Sequence, residues 1–366
     1  MTQNSINRLD YIDALRALAA LLVVWMHVSE AFVSMPGVAD RGTGLFEVAH
    51  SADCGRIGVI TFFAISGFII PQSIRGERGP GVRHFLVRRF FRLFPAYWLS
   101  IPLAFFVLWW LPGKDIAVDD VAFNFTMFEW LLGYQALMGH YWTLEVELYF
   151  YILCLLLFFF GLIHRIETAA LSCIVLVGIF VVVTSGLTER WFQVSLPIPS
   201  KLAFIFYHLG IMFWGTCCKH CFLDQPARKE WLYLIITSIA VFFPIAWSLL
   251  HITPDNAENV FRFAGGHGLG LLLFIACVTV CKIQVALLAW IGTISYSLYL
   301  FHPVIFYGLL QAIVYFDISY LQGMHLSVYV LISMLASIAF AWLVYKLVEE
   351  PAIALGRRWS RTSKAN

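Results

Sequence analysis

Residues 12–33 read IDALRALAALLVVWMHVSEAFV. The run is apolar for about the 20 residues that a helix needs to cross hydrocarbon, yet it carries Asp13, Arg16 and His27. No small-x-small cleavage site follows it, so it reads as a retained helix and not as a signal peptide. Working outward, further apolar runs lie near 56–74, 93–112, 141–163, 168–187, 202–221, 231–251, 263–281, 285–316 and 326–348, ten in all. Composition agrees. The 366 residues are 61% hydrophobic and 13% charged, with mean hydropathy +0.81, where soluble domains are about half apolar and a quarter charged. Globular interiors grow slowly with chain length, so an ordinary soluble enzyme, a disordered chain and a disulfide-knotted domain are excluded. The expected fold is an all-α polytopic membrane protein of about ten transmembrane helices. Residues 1–366 are expected to form a single membrane-embedded domain with no separate soluble domain.

Charge sets the expected orientation. With the N-terminus inside, the inner segments hold 16 Lys and Arg and the outer ones 6, while Arg16 and Lys346 lie in or near spans. This bias follows the positive-inside rule and places both termini in the cytoplasm. The outer segments are acidic, with Asp115, Asp119, Asp120, Asp255, Glu258 and Asp317. Val121–Leu137 contains Asn124, Glu129 and Gln135 and reads as re-entrant or interfacial. Ser34–Gly55 reads as an outer loop.

Ionisable side chains inside spans are costly and point to function. Arg16 and His27 are eleven residues apart, which at about 100° per residue puts them within roughly 20° of one face and about 16 Å apart along it. Asp13 shares that face. Arginine binds phosphate-rich groups through its planar fork, and histidine takes a proton from a hydroxyl near neutral pH. The pattern suits an anionic donor on one side and a nucleophile reached deeper. The competing reading is a buried polar cluster that joins helices, which a lone histidine would favour. Arg75–Arg92 (RGERGPGVRHFLVRRFFR) reads as a basic cytoplasmic loop that sets topology and touches anionic lipid. It also suits a donor's phosphates, with Arg88 and Arg92 on one helical face. In Trp142–Glu147 (WTLEVE), Glu145 reads as a solvated acid at a helix mouth, and Glu147 as pointing into the bundle.

At these residues the chain resembles the acyltransferase-3 family of integral-membrane O-acyltransferases. The carriers, in order, are Tyr11–Arg16 with His27 (an Arg-x10-His helix), Phe62–Phe68 (FFAISGF) and Arg88–Trp98 (RRFFRLFPAYW). They continue with Trp142–Tyr151 (WTLEVELYFY), Ser295–Pro303 (SYSLYLFHP) and Val348–Pro351 (VEEP). The WTLEVELYFY form is similar to members that acetylate exopolysaccharides in the style of succinoglycan O-acetyltransferases. The resemblance implies transfer of an acetyl group from cytosolic acetyl-CoA, a donor substrate and not a permanently bound cofactor. The acceptor is a hydroxyl of an extracytoplasmic or lipid-linked glycan such as exopolysaccharide. It implies a bacterial inner-membrane location. By position, His27 is the catalytic histidine, as base or acyl carrier, and Glu147 orients the catalytic centre or the acceptor. Arg16, Arg88 and Arg92 hold the donor, and Glu349 pins the last helix. Ser66 and Gly67 serve close packing, and Asp13, Tyr299 and His302 are structural or pocket-lining.

The Cys217, Cys218, Cys221 and His220 cluster has the residue types of a metal site, but one compact run lacks the geometry for four ligands, so no metal is expected. Gly265–Gly268 (GGHG) is expected to serve packing. Partners are the acyl-CoA, the glycan acceptor and the bilayer, with no nucleic acid. Acylation of a small secondary metabolite, or succinyl transfer, on the same fold is the alternative. A transporter of a lipid-linked sugar is a further one, disfavoured by the lack of a repeat between the two halves.

Overall fold

The structure, a computed structural model, describes residues 10–185, 200–223, 228–316 and 318–360. Arg8, Arg190, Asp317, Arg361 and Lys364, among the charges that set the expected orientation, lie outside them. The helices are α1 (Asp10–Val33), α2 (Gly44–Ser51), α3 (Cys54–Ser73), α4 (Arg78–Ala104), α5 (Val118–Asn124), α6 (Trp142–Phe159) and α7 (Ile166–Thr184). They continue with α8 (Ser200–Phe222), α9 (Arg228–Leu250), α10 (Ala257–Thr279), α11 (Ala286–Thr293), α12 (Ser295–Tyr315), α13 (Leu326–Val344) and α14 (Glu350–Trp359). Among the described residues, ten helices are long and apolar enough to cross a membrane, and each overlaps one of the ten runs read from the sequence. Many large apolar side chains stay exposed, among them Ile235, Ile239 and Leu250 of α9 and Leu171 and Val175 of α7. That is the surface a lipid-facing helix presents.

Four expectations change. The basic stretch is not a loop, because α4 begins at Arg78 and carries its arginines on helical turns. The run 285–316 is two helices meeting at Ile294, and only Ser295–Tyr315 is long enough to span. The stretch 34–55 contains α2, packed on α1. The last span runs on through a π-helical turn, Tyr345–Glu349, into α14. A second π-helical turn, Phe105–Trp110, extends α4 just after Pro102. Proline lacks the N–H that would close the regular ladder, and such positions bend or re-register helices.

The chain forms two compact units, one made of residues up to Phe62 with Gly265–Tyr345, the other of Phe63–Ala264 with Lys346 onward. In the first, α1 packs against α11, α12 and α13. Its alanines allow this: Ala14, Ala17, Ala19 and Ala20 are wholly buried, and lipid offers no hydrophobic drive between helices, so small residues and close fit hold them. A methyl group on Gly292 would sit 1.9 Å from the Asp13 carbonyl oxygen, and one on Gly58 2.4 Å from that of Ala19. In the second unit α7, α8 and α9 pack together, α6 joins α8, and α14 lies along α4.

The segment after α5 is a run of turns pinned to α4 and α6. Asn124 Nδ2 donates to the carbonyls of Asp120 and Gln135, and its Oδ1 accepts from Leu137 N. Tyr97 donates to the Asn124 carbonyl at 2.8 Å, and the Trp98 and Trp109 indoles donate to Phe125 and Leu137. These bonds bury Glu129 to 1% exposure. Burial pushes its carboxyl up to about 7, aided by the nearby Glu145 charge and opposed by bonds from the backbone and Tyr97. The sign follows directly. Between the ordinary carboxylate value and 7 the folded protein holds more protons than the unfolded chain, so stability falls as pH rises through that window. Thermal midpoints in detergent should decline from pH 5 to pH 7 and then level off. Glu129→Gln should flatten this decline, and an equal decline in wild type and variant would exclude the assignment.

Candidate active site

Within the first unit, α1 presents the guanidinium and the imidazole on one face. Arg16 Nη1 lies 3.7 Å from Asp13 Oδ1, one helical turn back. His27 Nδ1 lies 4.0 Å from Glu30 Oε2, one turn on, and 39% of the His27 side chain remains accessible, so a reactant can reach the ring. The His302 ring of α12 stands 5.4 Å from that of His27, centroid to centroid, and Tyr299 stands 6.0 Å from His302. His302 is wholly buried, with Nδ1 2.7 Å from the Tyr299 carbonyl. A carbonyl only accepts, so Nδ1 carries a proton. Phe62 packs edge-on to Tyr299. The structure thus brings His27, His302 and Tyr299 together, and it places Asp13 with Arg16.

The second unit gathers the other expected residues. Tyr151 donates to Glu147 Oε1 at 2.6 Å, and Ser66 Oγ approaches the same oxygen at 3.5 Å. Ser66 is therefore a polar partner as well as a small residue. Gly67 is the packing residue: its carbonyl accepts from Thr216 at 2.9 Å, and a methyl group there would lie 1.7 Å from the Met212 carbonyl oxygen. Glu147 points into the bundle, and Glu145 departs from its expected environment. Glu145 is 1% exposed and not solvated, because the turn that follows α5 covers it, with Leu131 N donating to Oε1 at 3.0 Å and the Tyr149 hydroxyl beside it.

Arg88 and Arg92 share a helical face but have different partners. Arg92 Nη1 is 2.7 Å from Glu349 Oε1, whose side chain is fully buried. This ion pair ties the start of α14 to α4. Arg88 is exposed, 3.3 Å from His84. The arginine that turns inward is Arg89. Its guanidinium lies 5.4 Å above Phe85 and 5.3 Å above Tyr151, and donates to Ser73 Oγ at 3.2 Å. Tyr151 so stands between Arg89 and Glu147. The signal was in the sequence: Phe85 precedes Arg89 by four residues, one aromatic turn below it.

Other features resolve simply. Cys217, Cys218 and Cys221 are buried along α8, and Cys221 Sγ donates to the Glu230 carbonyl. Among the described residues no group of three His, Cys, Asp or Glu is arranged to hold a metal ion. The Gly-Gly pair of α10 does serve packing: a methyl group on Gly266 would lie 2.8 Å from the Arg56 side chain.

The family model described as "Acyltransferase domain" matches residues 9–346. The chain is 23% identical over 384 residues to Nodulation protein 10 of Rhizobium leguminosarum bv. viciae, covering 96% of this chain and 95% of that one. It is 25% identical over 382 residues to the O-acetyltransferase OatA of Staphylococcus aureus (strain NCTC 8325 / PS 47), covering 93% of this chain. It spans only 56% of OatA's length. No solved structure matches. With ten candidate spans, an Arg-x10-His helix and a family match over nearly its whole length, the chain belongs to the acyltransferase-3 family of membrane acyltransferases.

Proposed function

We propose that the protein moves an acetyl group from cytosolic acetyl-CoA to a hydroxyl of an extracytoplasmic or lipid-linked glycan such as exopolysaccharide. The observation that carries this reading is α1 itself, with Arg16 and an accessible His27 on one face, about 16 Å apart along the helix. The acceptor oxygen attacks the thioester carbonyl, its proton passes to His27, and the C–S bond breaks. His27 then returns the proton to the leaving thiolate. A variant route first places the acetyl group on the imidazole. Arg16, Arg88 and Arg92 supply positive charge for the donor's phosphates, and Arg89 adds a fourth cation held by Ser73 and Tyr151. Glu147, gripped by Tyr151 and Ser66, orients the acceptor. Both termini face the cytoplasm of a bacterial inner membrane, as the positive-inside count supports. The similarity to OatA, named an O-acetyltransferase, supports the oxygen acceptor.

The test is NMR of surface and secreted polysaccharide from wild-type and deletion strains, with coenzyme A release followed in membranes supplied with acetyl-CoA. The expected result is loss of an O-acetyl signal on deletion, together with release that depends on the protein. Unchanged spectra with release intact would point to a small-molecule acceptor, and no release in either case would overturn the enzyme assignment.

A further inference from the structure

Pro303 lies inside α12, directly after His302. In a regular helix the N–H of residue 303 would bond the carbonyl of Tyr299, four residues back. Proline has no N–H to give, and its ring pushes that carbonyl away from the helix axis. Tyr299 is 7% and His302 0% exposed, and a buried carbonyl costs free energy unless a donor meets it. His302 supplies a donor, with Nδ1 2.7 Å from the Tyr299 oxygen. The order Tyr299-Leu300-Phe301-His302-Pro303 thus turns out an acceptor and places an imidazole on it, and the bond fixes the His302 ring to the backbone of α12. Other rings close around it. Tyr299 and Phe306 stand 6.0 and 5.9 Å from His302, centroid to centroid, and Phe62 of α3 packs edge-on to Tyr299.

The anchored ring also touches His27. The two imidazoles are 5.4 Å apart and tilted by 33°, which is direct ring contact, and α1 packs along α12. The two histidines differ in access. His302 has none, whereas the His27 side chain keeps 39%. One ring is fixed and closed off, and the other can be reached by a reactant. A partly exposed side chain has several staggered rotamers to choose among, but a base works only from the one that meets its proton donor at hydrogen-bond distance. A rigid ring against one side of His27 narrows that choice. Glu30, 56% exposed and 4.0 Å from His27, is a looser support.

We propose that His302 is the positioning residue of the His27 site, its ring anchored on the carbonyl that Pro303 frees and set so that the His27 imidazole keeps the orientation in which it takes the acceptor's proton. This rests on the proposed role of His27. His302 touches neither donor nor acceptor in this scheme and moves no proton. Its bond to Tyr299 acts only through the contact between the two rings.

Two readouts test it. Coenzyme A release is measured against acetyl-CoA concentration in membranes that retain the native acceptor. Purified full-length protein is treated with diethylpyrocarbonate, and modification of the His27 peptide is followed by mass spectrometry. Pro303→Ala is the decisive variant. It returns an N–H that competes for the Tyr299 carbonyl and lets that carbonyl swing back toward the helix axis, so the anchor weakens while the helix gains a bond and loses its poorest former. Its thermal midpoint should equal or exceed that of wild type. Its kcat should nevertheless fall by about 10-fold, with KM for acetyl-CoA unchanged, and its His27 should be modified faster. His302→Phe keeps a ring and removes the donor. Its kcat should fall at least as far, and its midpoint should drop because the buried carbonyl loses that bond. Adding Pro303→Ala to His302→Phe should cost little further activity, since both changes remove one anchor, and should restore part of the midpoint, since the new N–H meets the carbonyl. A packing role alone predicts the opposite, with near-wild-type kcat in His302→Phe and losses that add. Wild-type kcat with wild-type His27 modification in Pro303→Ala overturns the proposal, as do additive losses in the double variant. If His302→Phe does not fold, Pro303→Ala carries the test, because it adds a backbone bond. Full activity in His27→Ala overturns instead the reading on which the proposal rests, and the His27 modification rate in Pro303→Ala still reports whether His302 holds that ring.

Discussion

His27→Ala should reduce acetyl transfer by about 10³-fold or more while leaving the protein folded. The two halves of this expectation come from different features of the same side chain. Chemically, α1 offers one accessible group able to take a proton near neutral pH. Arg16 cannot do so, since a guanidinium stays protonated. His302 is wholly buried, with its Nδ1 already committed to the Tyr299 carbonyl. Structurally, the His27 side chain is 39% accessible and pairs with the still more exposed Glu30. The helix keeps its seat through Val23, Val24, Val28 and Phe32, all buried. The measurement is coenzyme A release and glycan acetylation by protein matched for monodisperse yield. Retention of more than about a tenth of wild-type activity would remove His27 from the chemistry. Labelled acetyl-CoA supplied without acceptor separates the two routes: stable label on the His27 peptide selects the acyl carrier, and its absence with normal turnover selects direct transfer.

The spans were legible because hydrocarbon imposes a length and a polarity that a one-dimensional pattern displays. The same periodicity placed Arg16 and His27 on one face, which the structure keeps. Long-range pairing was not legible. Nothing in the sequence says that Arg92 meets Glu349, since the partners lie at opposite ends of the chain and only the docking of α14 on α4 joins them. The burial of Glu145 has the same origin. Depth along α6 suggested that Glu147 was the more buried, but the turns after α5 fold over Glu145, and what covers a helix mouth is a tertiary fact. The helical start of α4 was hidden by Gly79-Pro80-Gly81. Those residues usually break helices, but proline is well placed in a first turn, where its missing N–H would have had no partner. The break at Ile294 is equally tertiary. Gly292 sits against the Asp13 backbone, and a continuous apolar run gives no sign of that contact.

Gly67→Ala should be the most destabilising single-methyl change in the second unit, and Gly292→Ala its counterpart in the first. A methyl group on Gly67 would stand 1.7 Å from the Met212 carbonyl oxygen and 2.5 Å from its carbon. Non-bonded carbon atoms prefer separations of about 3.5–4.0 Å, and the obstacle is backbone, so no rotamer change relieves it. Helices α3 and α8 must part. Moving them also strains the Thr216 hydroxyl's bond to the Gly67 carbonyl and the neighbouring close approach at Gly215, where a methyl group would lie 2.3 Å from the Ala64 carbonyl oxygen. Overpacking of a well-fitted core commonly costs about 1–3 kcal/mol, and a clash between two backbones belongs at or above the top of that range. Gly292→Ala places its methyl 1.9 Å from the Asp13 carbonyl oxygen, so it displaces the end of α1 that bears Arg16, and transfer should fall along with stability. Gly178→Ala is the control. It lies within α7 with open space around it, and replacing a helical glycine by alanine there should be neutral or stabilising by up to about 1 kcal/mol. Thermal unfolding followed by fluorescence-detected size exclusion should therefore show Gly67→Ala and Gly292→Ala with lowered midpoints or no monodisperse peak, and Gly178→Ala at or above wild type. Wild-type midpoints in both of the first two variants would mean that these helices do not approach as closely as the glycines permit, and the close-packed account of α1 on α11 and of α3 on α8 would fall with them.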